Sequence, residues 1–336
     1  MPTSPLRFVI IGYGHIGKRH AVHIAANPDC RLAGVCDVRE EVAQELAAGM
    51  HFDTDVQRFL ENSGADVACI CTPNYLHEPH TIAALNAGLH AVVEKPMALS
   101  SQSCERMIAA SENNEKTIFA VKQNRYNPPV QQVKDLLVKG ALGKVYSIQV
   151  TCFWNRSDAY YAQSSWRGKK ATDGGCLFTQ FSHFVDILYY LNGPVKSAKG
   201  LLQNFAHRHN TDFEDSGVFA LEAANGALIS FSFSTCSYEQ NMEGSIAILC
   251  ERGTVKIGGQ YLNTIEYQHL AGEPLPQIPM MAKANDYGLY KGSMSNHDKV
   301  IQNVVDALLY GRPVMTSAME GREVVSIIEQ MYAGAQ

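Results

Sequence analysis

The sequence contains no uninterrupted apolar run of about 18 residues, the length that a membrane-spanning helix needs. The segment Met1 to Ile11 carries only a handful of apolar residues before Gly12, which argues against a secretory signal peptide. The chain also lacks a basic stripe or a long block of like charges, and its formal net charge is only −5. We therefore expect a cytoplasmic protein with a small-molecule partner, and neither nucleic acid nor a membrane as a partner.

The nine cysteines lack the spacing of a disulfide framework or a zinc finger, so we expect reduced thiols. His77 with His80, and His207 with His209, are conceivable metal ligands. No set of cysteine, histidine and carboxylate completes a coordination sphere around either pair, and no metal is expected.

A glycine-rich turn near the start of the chain is the most informative motif. The short apolar, β-branched run from Leu6 to Ile11 predicts a buried strand, and it stops at the turn Gly12-Tyr13-Gly14-His15-Ile16-Gly17. The first glycine permits a tight turn, the second lets the backbone approach a pyrophosphate, and the third allows a helix to pack on the strand. The next predicted strand ends at Asp37, whose carboxylate can accept the hydroxyls of an adenosine ribose and would repel a 2′-phosphate. NAD is therefore favoured over NADP.

Three further predicted strands end in polar segments. Asp66 to Cys71 ends in Thr72-Pro73-Asn74, His90 to Val93 ends in Glu94-Lys95-Pro96, and Thr117 to Val121 ends in Lys122-Gln123-Asn124-Arg125. Helices alternate with these strands, including one predicted over 40–49, so the strands should form one parallel sheet. Because the carboxyl ends of parallel strands meet at one edge, we expect these polar segments to converge on one crevice.

The second half has a different pattern. From Lys144 onward, long stretches alternate apolar and polar residues with few helices between them, namely 145–153, 196–205, 217–221, 228–233, 245–249 and 254–257. At 336 residues the chain is also longer than one core usually is. The expected fold class is α/β, with an N-terminal Rossmann dinucleotide-binding domain over 1–124 and a C-terminal α/β domain over 125–336 that has a large, mostly antiparallel open sheet. One face of that sheet should be buried against another subunit, in a homotetramer or dimer.

One predicted helix, over 173–188, carries polar side chains on an otherwise apolar element. Thr179, Gln180 and His183 lie at i, i+1 and i+4 and should project from one side, with Asp186 a turn further on and able to orient the imidazole. From spacing alone, His183 and Asp186 could equally be a satisfied pair in the core.

Together, the Gly12 to Gly17 turn, the Glu94-Lys95-Pro96 motif and the helix that contains His183 resemble the Gfo/Idh/MocA oxidoreductases, and the similarity covers essentially the whole chain. In that family the lysine and the histidine of these motifs flank the nicotinamide and the sugar carbon that is oxidised or reduced. The resemblance therefore implies that Lys95 and His183 are catalytic. Many inositol- and glucose-type members have an aspartate where this chain has Thr179, which argues against the Asp/His pairing that those enzymes use.

Several other motifs carry a narrower resemblance: Lys122 to Asn127, Tyr160-Tyr161, Trp166-Arg167-Gly168, Gln180, Met242 to Ser245 and Gly253 to Gly259. They resemble bacterial enzymes that oxidise the C3 hydroxyl of UDP-N-acetylglucosaminuronate with NAD, a step in making sugars for surface polysaccharide. Arg125 and Arg167 have planar bidentate donors that suit a carboxylate or a diphosphate. Tyr160, Tyr161 and Trp166 could stack on a uracil or a sugar.

The expected site follows from these motifs. The NAD contacts expected are Gly12, Tyr13, Gly14, His15, Ile16, Asp37, Thr72, Pro73, Asn74, His77, Glu94, Lys95, Gln123, Trp166 and Arg167. The substrate contacts expected are Lys95, Arg125, Tyr126, Tyr160, Tyr161, Arg167, Thr179, Gln180 and His183. Three functions stay open: a dehydrogenase of the UDP-sugar uronate, a dehydrogenase of a free sugar or polyol such as inositol, and a sensor that binds a dinucleotide without turnover.

Overall fold

The structure is a computed structural model that describes residues 4–278, 284–288 and 290–336. The chain divides into two compact units, one formed by Met1–Lys122 with His297–Arg322 and the other by Gln123–Asn296 with Glu323–Gln336. The division expected at 124/125 would assign His297–Arg322 to the second domain. This segment belongs to the first unit because its helix packs against the first helix of the chain.

The first unit is built on a six-stranded parallel sheet. Its elements up to residue 122 are β1 (Leu6–Ile11), α1 (His15–Ala26), β2 (Cys30–Cys36), β3 (His51–Asp53), α2 (Val56–Ser63), β4 (Val67–Ile70), α3 (His77–Asn86), β5 (His90–Val93), α4 (Ser101–Asn113) and β6 (Ile118–Ala120). The strand order is β3-β2-β1-β4-β5-β6. This is the order of the Rossmann fold, in which ligands bind beyond the carboxyl ends of the strands where the order reverses, here between β1 and β4.

The edge of this sheet differs from the sequence prediction. The helix predicted over 40–49 is a 3₁₀-helix over Glu40–Glu45, and the chain then forms β3, which the sequence analysis did not identify. Because β3 has only three residues and pairs with β2 at the edge, it has no periodic pattern long enough to detect.

The second unit contains a seven-stranded sheet. Its elements are α5 (Pro128–Val138), β7 (Val145–Phe153), α6 (Asp158–Tyr161), α7 (Lys170–Asp173), α8 (Cys176–Thr179), α9 (Ser182–Asn192), β8 (Val195–Gln203), β9 (Ser216–Ala223), β10 (Leu228–Ser234), β11 (Glu243–Cys250), β12 (Gly253–Gly258), β13 (Thr264–Leu270), β14 (Ala284–Asp286) and β15 (Lys291–Met294). The strand order is β13-β12-β11-β7-β10-β9-β8, and every neighbouring pair except β7 with β10 is antiparallel. The predicted α/β class and the mostly antiparallel second sheet are therefore confirmed.

The two faces of this sheet are different. One face carries Phe219, Phe231 and Phe233, which are buried together with Phe181 and Phe184 from the helical segment. On the other face, neighbouring strands present apolar side chains that are more than half exposed, such as Leu201, Val218 and Leu228. Large apolar side chains on an open sheet are a feature of association surfaces.

The chain ends with two helices, α10 (His297–Tyr310) and α11 (Ala318–Ala333). No helix in the described part of the chain is both long and apolar enough to cross a membrane.

Candidate active site

The glycine turn after β1 has the shape that a pyrophosphate needs. Gly12 has a φ of +91°, and a Cβ there would lie 2.7 Å from the carbonyl oxygen of Cys71. A Cβ on Gly17 would lie 2.1 Å from the carbonyl oxygen of Gly12, so both positions require glycine. At Gly14, by contrast, a Cβ would meet nothing within 4 Å, and this residue caps α1 without a side-chain hydrogen bond. The space beside Gly14, at the N-terminal end of α1, is therefore open, and a helix N-terminus is where a dinucleotide phosphate binds in this fold.

Asp37, at the carboxyl end of β2, is joined to this turn. Its Oδ2 accepts a hydrogen bond of 2.7 Å from the backbone N–H of Tyr13, and its Oδ1 accepts one of 2.9 Å from Nε of Arg39. Burial would raise the pKa of Asp37, but these hydrogen bonds outweigh burial and lower the pKa below its ordinary value. Asp37 is therefore an anion beside the dinucleotide turn, with the half-exposed guanidinium of Arg39 against it.

The carboxylate of Glu94 lies against two histidines of the first unit. Its Oε1 lies 2.9 Å from Nε2 of His20 and 3.4 Å from Nε2 of His297, and all three side chains are buried. Its Oε2 accepts a hydrogen bond of 3.1 Å from the backbone N–H of Lys95. Burial would raise the pKa of Glu94, but its contacts with the two histidines outweigh this and hold it well below its ordinary value. The Glu94 carboxylate therefore holds the backbone at Lys95, and the expected contact of Glu94 with the cofactor stays a prediction.

His77 joins two of the polar strand ends. Its Nδ1 lies 2.6 Å from the carbonyl oxygen of Pro96 and its Nε2 lies 2.9 Å from that of Thr72. Burial lowers the pKa of this imidazole. The neutral ring donates to one of these carbonyls, and His77 links the loops after β4 and β5. Its expected contact with the cofactor stays a prediction.

The remaining expected NAD contacts of the first unit lie after β1, β4 and β5. His15 is exposed, whereas Tyr13, Ile16, Thr72, Pro73 and Lys95 are partly buried and Asn74 is buried. All of them follow the carboxyl ends of parallel strands, which confirms the predicted convergence within this unit. Gln123, Trp166 and Arg167 belong to the second unit.

The predicted single helix over 173–188 is wrong. The structure has three short helices there, α7, α8 and α9. Between α8 and α9, the N–H of Phe181 bonds the carbonyl of Cys176 with a length of 3.0 Å, which is a five-residue π-type turn. Such a turn is often found at functional sites. It places Gln180 in the break and His183 in the first turn of α9.

His183 is buried and faces a hydroxyl that the sequence analysis did not identify. Its Nε2 lies 3.4 Å from Oγ of Ser293, and that oxygen accepts a hydrogen bond of 2.9 Å from Nε2 of Gln123. The amide Oε1 of Gln123 is buried and has no hydrogen-bond partner among the residues that the structure describes. A buried acceptor next to a histidine and a hydroxyl fits a ligand that carries a donor. Ser293 lies in a four-residue strand without a sequence motif, so nothing in the sequence marked it.

Arg125 does not have the position expected of a substrate contact. It is fully buried, and its Nη2 donates to Oδ1 of Asp186 at 2.8 Å while its Nε lies 3.1 Å from Oδ2. The carboxylate that was expected to orient His183 is thus paired with an arginine. The interpretation of Arg125 as a diphosphate or uronate ligand is corrected to that of a buried ion pair in the second unit.

Other expected substrate residues do come together. Nε2 of Gln180 donates to the hydroxyl of Tyr160 at 2.5 Å, and the guanidinium of Arg167 lies 4.4 Å from the centre of the Tyr160 ring. Burial raises the pKa of Tyr160 to about 12, so it stays a neutral phenol. The same cluster contains Arg156 and Tyr290, neither of which the sequence analysis singled out.

The remaining expected site residues differ in burial and in their contacts. Tyr161 is buried against the His207 imidazole, with ring centres 5.2 Å apart, so it belongs to the interior of the unit. Thr179 is buried at the end of α8, and Tyr126 is partly buried in a 3₁₀-helix. Trp166 is partly buried below Arg167, whose guanidinium lies 5.6 Å from its ring centre.

Two clusters in the described residues have the ligand types of a metal site. They are His20 with Glu94 and His297, and His207 with Asp215 and Cys236. In the second cluster, Nδ1 of His207 lies 3.1 Å from Oδ2 of Asp215. Burial would lower the pKa of His207, but the bond to Asp215 outweighs it and raises the pKa to about 10. The ion pair between His207 and Asp215 accounts for two side chains of the second cluster. In the first cluster burial lowers the pKa of His297, and neither of its ring nitrogens has a hydrogen-bond partner among the described residues, so the absence of a metal stays a prediction.

Two family models match this chain. The model of the oxidoreductase family with an NAD-binding Rossmann fold matches residues 6–122, and the model of the GFO/IDH/MocA C-terminal domain matches residues 130–256.

Several solved structures are similar over nearly the whole chain. The WlbA dehydrogenase from Bordetella pertussis, in complex with NADH and UDP-GlcNAcA, is 34% identical, and the match covers 98% of this chain and 96% of that chain with a TM-score of 0.88.

Curated relatives are more distant or match less of the chain. The D-glucoside 3-dehydrogenase of Escherichia coli is 31% identical over 203 residues, so the match spans 59% of this chain and only 57% of that relative. The inositol 2-dehydrogenase of Streptomyces avermitilis is 26% identical over 340 residues, 98% of this chain and 92% of the relative. The parallel sheet with its glycine turn and the open second sheet agree with both family models, and the chain belongs to the Gfo/Idh/MocA family of oxidoreductases, with an NAD-binding Rossmann domain at its N-terminal end.

Proposed function

We propose that this protein oxidises the C3 hydroxyl of UDP-N-acetylglucosaminuronate to the 3-keto sugar with NAD, in the biosynthesis of surface polysaccharide sugars. The observation that carries the proposal is the similarity, over 98% of this chain, to a dehydrogenase whose structure contains NADH and UDP-GlcNAcA. The NAD site is supported by the open space at Gly14 and by the anionic Asp37. The sugar site is proposed around His183, Gln180 and Tyr160.

Lys95 and His183 are the proposed catalytic residues. Bound NAD would supply the nicotinamide carbon that accepts the hydride. Lys95 is held at its backbone by the Glu94 carboxylate, and its amine can bind the substrate hydroxyl or accept its proton. His183 can accept or pass on that proton, with the Ser293 hydroxyl beside Nε2 as the group that orients the ring.

The order of these two residues in proton transfer depends on the protonation state of Lys95 and on the tautomer of His183. The hydroxyl of Ser293 accepts a hydrogen bond from the Gln123 amide, which leaves its own proton available for Nε2 of His183. In that arrangement the imidazole carries its proton on Nδ1 and Nε2 accepts the Ser293 proton, so His183 can take up the substrate proton only by relay: the serine oxygen accepts the proton of the substrate hydroxyl as its own proton passes to Nε2. A positioned base of this kind contributes roughly 10²–10⁴-fold to the rate.

Oxidation of a free sugar or polyol is the alternative, and the relatives named as D-glucoside and inositol dehydrogenases favour it. The chain has Thr179 at a position where many inositol- and glucose-type members have an aspartate, which supports the nucleotide sugar instead. A further alternative is a sensor that binds the dinucleotide and does not turn over.

The decisive experiment measures NADH formation with four compounds: UDP-N-acetylglucosaminuronate, UDP-N-acetylglucosamine, myo-inositol and glucose. A keto acid that regenerates NAD would be added in case NADH stays bound. Turnover of a UDP-sugar supports the proposal, whereas turnover of inositol or glucose with none on either UDP-sugar overturns it. Mass spectrometry of ligands released from the denatured protein provides an independent measurement, and bound NAD(H) without turnover of any compound would favour a sensor.

A further inference from the structure

Arg156 is a deeply buried cation in the second unit, with only 2% of its surface exposed. Its Nε donates to Oε1 of Gln180 at 2.7 Å, and its Nη1 donates to the carbonyl of Asn155 at 2.5 Å and lies 3.4 Å from Oδ1 of Asn241. All of these acceptors are neutral. Among the residues that the structure describes, no carboxylate forms an ion pair with Arg156, although a buried charge is costly without a counterion.

Aromatic rings surround the rest of this guanidinium. Its central carbon lies 5.2 Å from the ring of Trp154, 5.3 Å from that of Tyr160 and 4.9 Å from that of Tyr290. Ring faces attract a cation, but they do not neutralise its charge. The cluster is therefore positively charged and partly desolvated, which is the environment that binds an oxyanion strongly.

A second arginine increases this charge. The guanidinium of Arg167 lies 4.4 Å from the ring of Tyr160, and its Nη1 donates to the Tyr160 carbonyl and to the side-chain amide of Gln163. In the part of the chain that the structure describes, Arg167 also has no carboxylate partner. Arg125, an equally buried arginine of the same unit, is paired with the carboxylate of Asp186. A carboxylate therefore neutralises Arg125, whereas Arg156 and Arg167 keep their charge.

Arg156 is connected to His183 through two short stretches of chain. It bonds Gln180, which precedes His183 by three residues, and it lies against Tyr290, which precedes Ser293 by three residues. Ser293 in turn lies beside His183. Arg156 contacts Gln180 and Tyr160, and Arg167 contacts Tyr160, so both arginines border the residues around which the sugar site is proposed.

The backbone of Arg156 is also held in place. Nε2 of His207 lies 2.8 Å from the carbonyl oxygen of Arg156, while Nδ1 of the same ring bonds Asp215. As an imidazolium, His207 donates to both acceptors. A preorganised cation of this kind binds a ligand without first losing conformational freedom.

We propose that Arg156 and Arg167 bind an oxyanion of the sugar substrate, a carboxylate or a phosphate, and that this pair selects for charged substrates. This inference rests on the proposed function for the identity of the sugar, but it concerns a site whose binding can be measured without turnover. It replaces Arg125 with Arg156 as the partner of Arg167.

The sharpest variant is Gln180→Glu, which keeps the size of the side chain and places a carboxylate 2.7 Å from Nε of Arg156. Because Gln180 itself belongs to the proposed sugar site, the charged ligands are compared with neutral N-acetylglucosamine. If Arg156 serves a ligand, this internal carboxylate should weaken binding of the charged ligands about 10-fold or more relative to the neutral sugar, because it competes for the same charge, while the melting temperature stays the same or rises. If Arg156 is only structural, neutralising it should leave the ratio between charged and neutral ligands unchanged. That second result would overturn the proposal even if direct substitution of Arg156 prevents folding.

Direct substitution tests the geometry of the pair. Arg156→Met and Arg156→Lys would be compared with Arg208→Met, an exposed arginine of the same unit whose guanidinium bonds the carbonyl of Asn204. Binding of UDP-N-acetylglucosaminuronate, UDP-N-acetylglucosamine, UDP and N-acetylglucosamine would be measured calorimetrically at saturating NADH. Arg156→Met should weaken the charged ligands about 10-fold or more, Arg156→Lys should recover part of this loss, and Arg208→Met should bind like the wild type.

The four ligands distinguish the sources of the oxyanion. Loss confined to the uronate identifies the carboxylate, and loss shared by both UDP-sugars and UDP identifies a phosphate; either result supports the proposal. Equal loss for the neutral sugar, or no loss for any ligand, overturns it. If the wild type oxidises only free sugars, the proposed function fails, but UDP binding that depends on Arg156 would still identify an oxyanion site.

Discussion

Arg125 and Asp186 form an ion pair in which both side chains are almost completely buried, with Nη2 2.8 Å from Oδ1. The guanidinium of Arg125 also lies 4.7 Å from the ring of Tyr190. Removing one partner of such a pair leaves a buried charge without a counterion, which typically costs about 3–5 kcal/mol. Asp186→Asn should therefore lower the free energy of unfolding by about this amount in chemical denaturation.

The matched control is the double variant Arg125→Met with Asp186→Leu, which removes both charges. Replacing a buried ion pair with apolar side chains of similar size is often neutral or stabilising, so the double variant should be more stable than Asp186→Asn. Equal destabilisation of both variants would show that the pair matters for shape and not for charge.

We propose that Asp37 and Arg39 set the choice of cofactor. Because the pKa of Asp37 is lowered, its carboxylate is ionised at neutral pH and repels a 2′-phosphate, so the wild type should bind NADH more tightly than NADPH. Asp37→Ala should raise the affinity for NADPH relative to NADH about 10-fold, since Arg39 then loses its partner and can bind the phosphate.

Fluorescence titration with each nucleotide measures this ratio. Adding Arg39→Met to Asp37→Ala should abolish the gain for NADPH while leaving NADH binding close to that of the single variant. Tighter binding of NADPH than NADH by the wild-type protein would contradict the assignment of Asp37.

Lys95→Met and His183→Ala should each remove most turnover while leaving NADH binding nearly intact, because both side chains are proposed to act on the hydroxyl of the substrate. A loss of roughly 10²-fold or more in kcat is expected for each variant. Steady-state kinetics and NADH titration measure the two properties separately. Activity within about threefold of the wild type for either variant would rule out the catalytic assignment.

Features that depend on the order of residues within a short segment could be predicted from the sequence. The glycine turn, the position of Asp37 and the polar strand ends depend on spacing within a few residues, and the structure brings those of the first unit to the same edge of one sheet. The open second sheet could be predicted because its strands are long and alternate, whereas β3, with three residues, could not.

Side-chain partners across long stretches of chain could not be predicted. Arg125 and Asp186 are 61 residues apart, and Gln123 and Ser293 are 170 residues apart. The planar donors of arginine predicted Arg125 and Arg167 as ligands for an anion, but only the tertiary structure shows that a carboxylate is paired with Arg125 and that Arg156 has neutral partners. The break at Phe181 likewise depends on a five-residue turn that helical periodicity does not reveal.

His207 should make the stability of the protein depend on pH. Its pKa in the folded protein is about 10, above the ordinary 6.5, because the bond to Asp215 outweighs burial. The stabilisation from protonated His207 is therefore fully present below about pH 6.5 and is lost as the pH rises toward 10. The pKa of Asp215 is lowered, so this carboxylate stays ionised throughout that range, and Tyr161 and Cys236 are the other titratable groups in contact with the ring.

Thermal unfolding of the wild type and His207→Gln measures this effect. The difference in melting temperature should be largest near pH 6 and should shrink between pH 7 and pH 10. A difference that is constant over this range would mean that His207 contributes through shape and not through its charge.

The final prediction concerns assembly. The exposed face of the second sheet presents Leu201 and Val218, which are direct neighbours on adjacent strands, together with Leu228, and each is more than half exposed. Burying apolar area of this kind stabilises an interface by about 25 cal/mol per Å². We therefore propose that this face joins copies of the chain in a homotetramer or dimer. Sedimentation should then give a species of at least twice the monomer mass of 36.9 kDa at micromolar concentration.

A double variant that adds two carboxylates tests whether this face forms the interface between copies. Leu201→Glu with Val218→Asp should shift the protein toward the monomer, because two carboxylates per chain would have to be desolvated in the interface. Val138→Asp is the matched control, since it adds a carboxylate to an exposed valine on a helix of the same unit and should leave the assembly unchanged. A stable monomer of the wild type would rule out the assembly, and an oligomer unaffected by the double variant would place the interface on another surface.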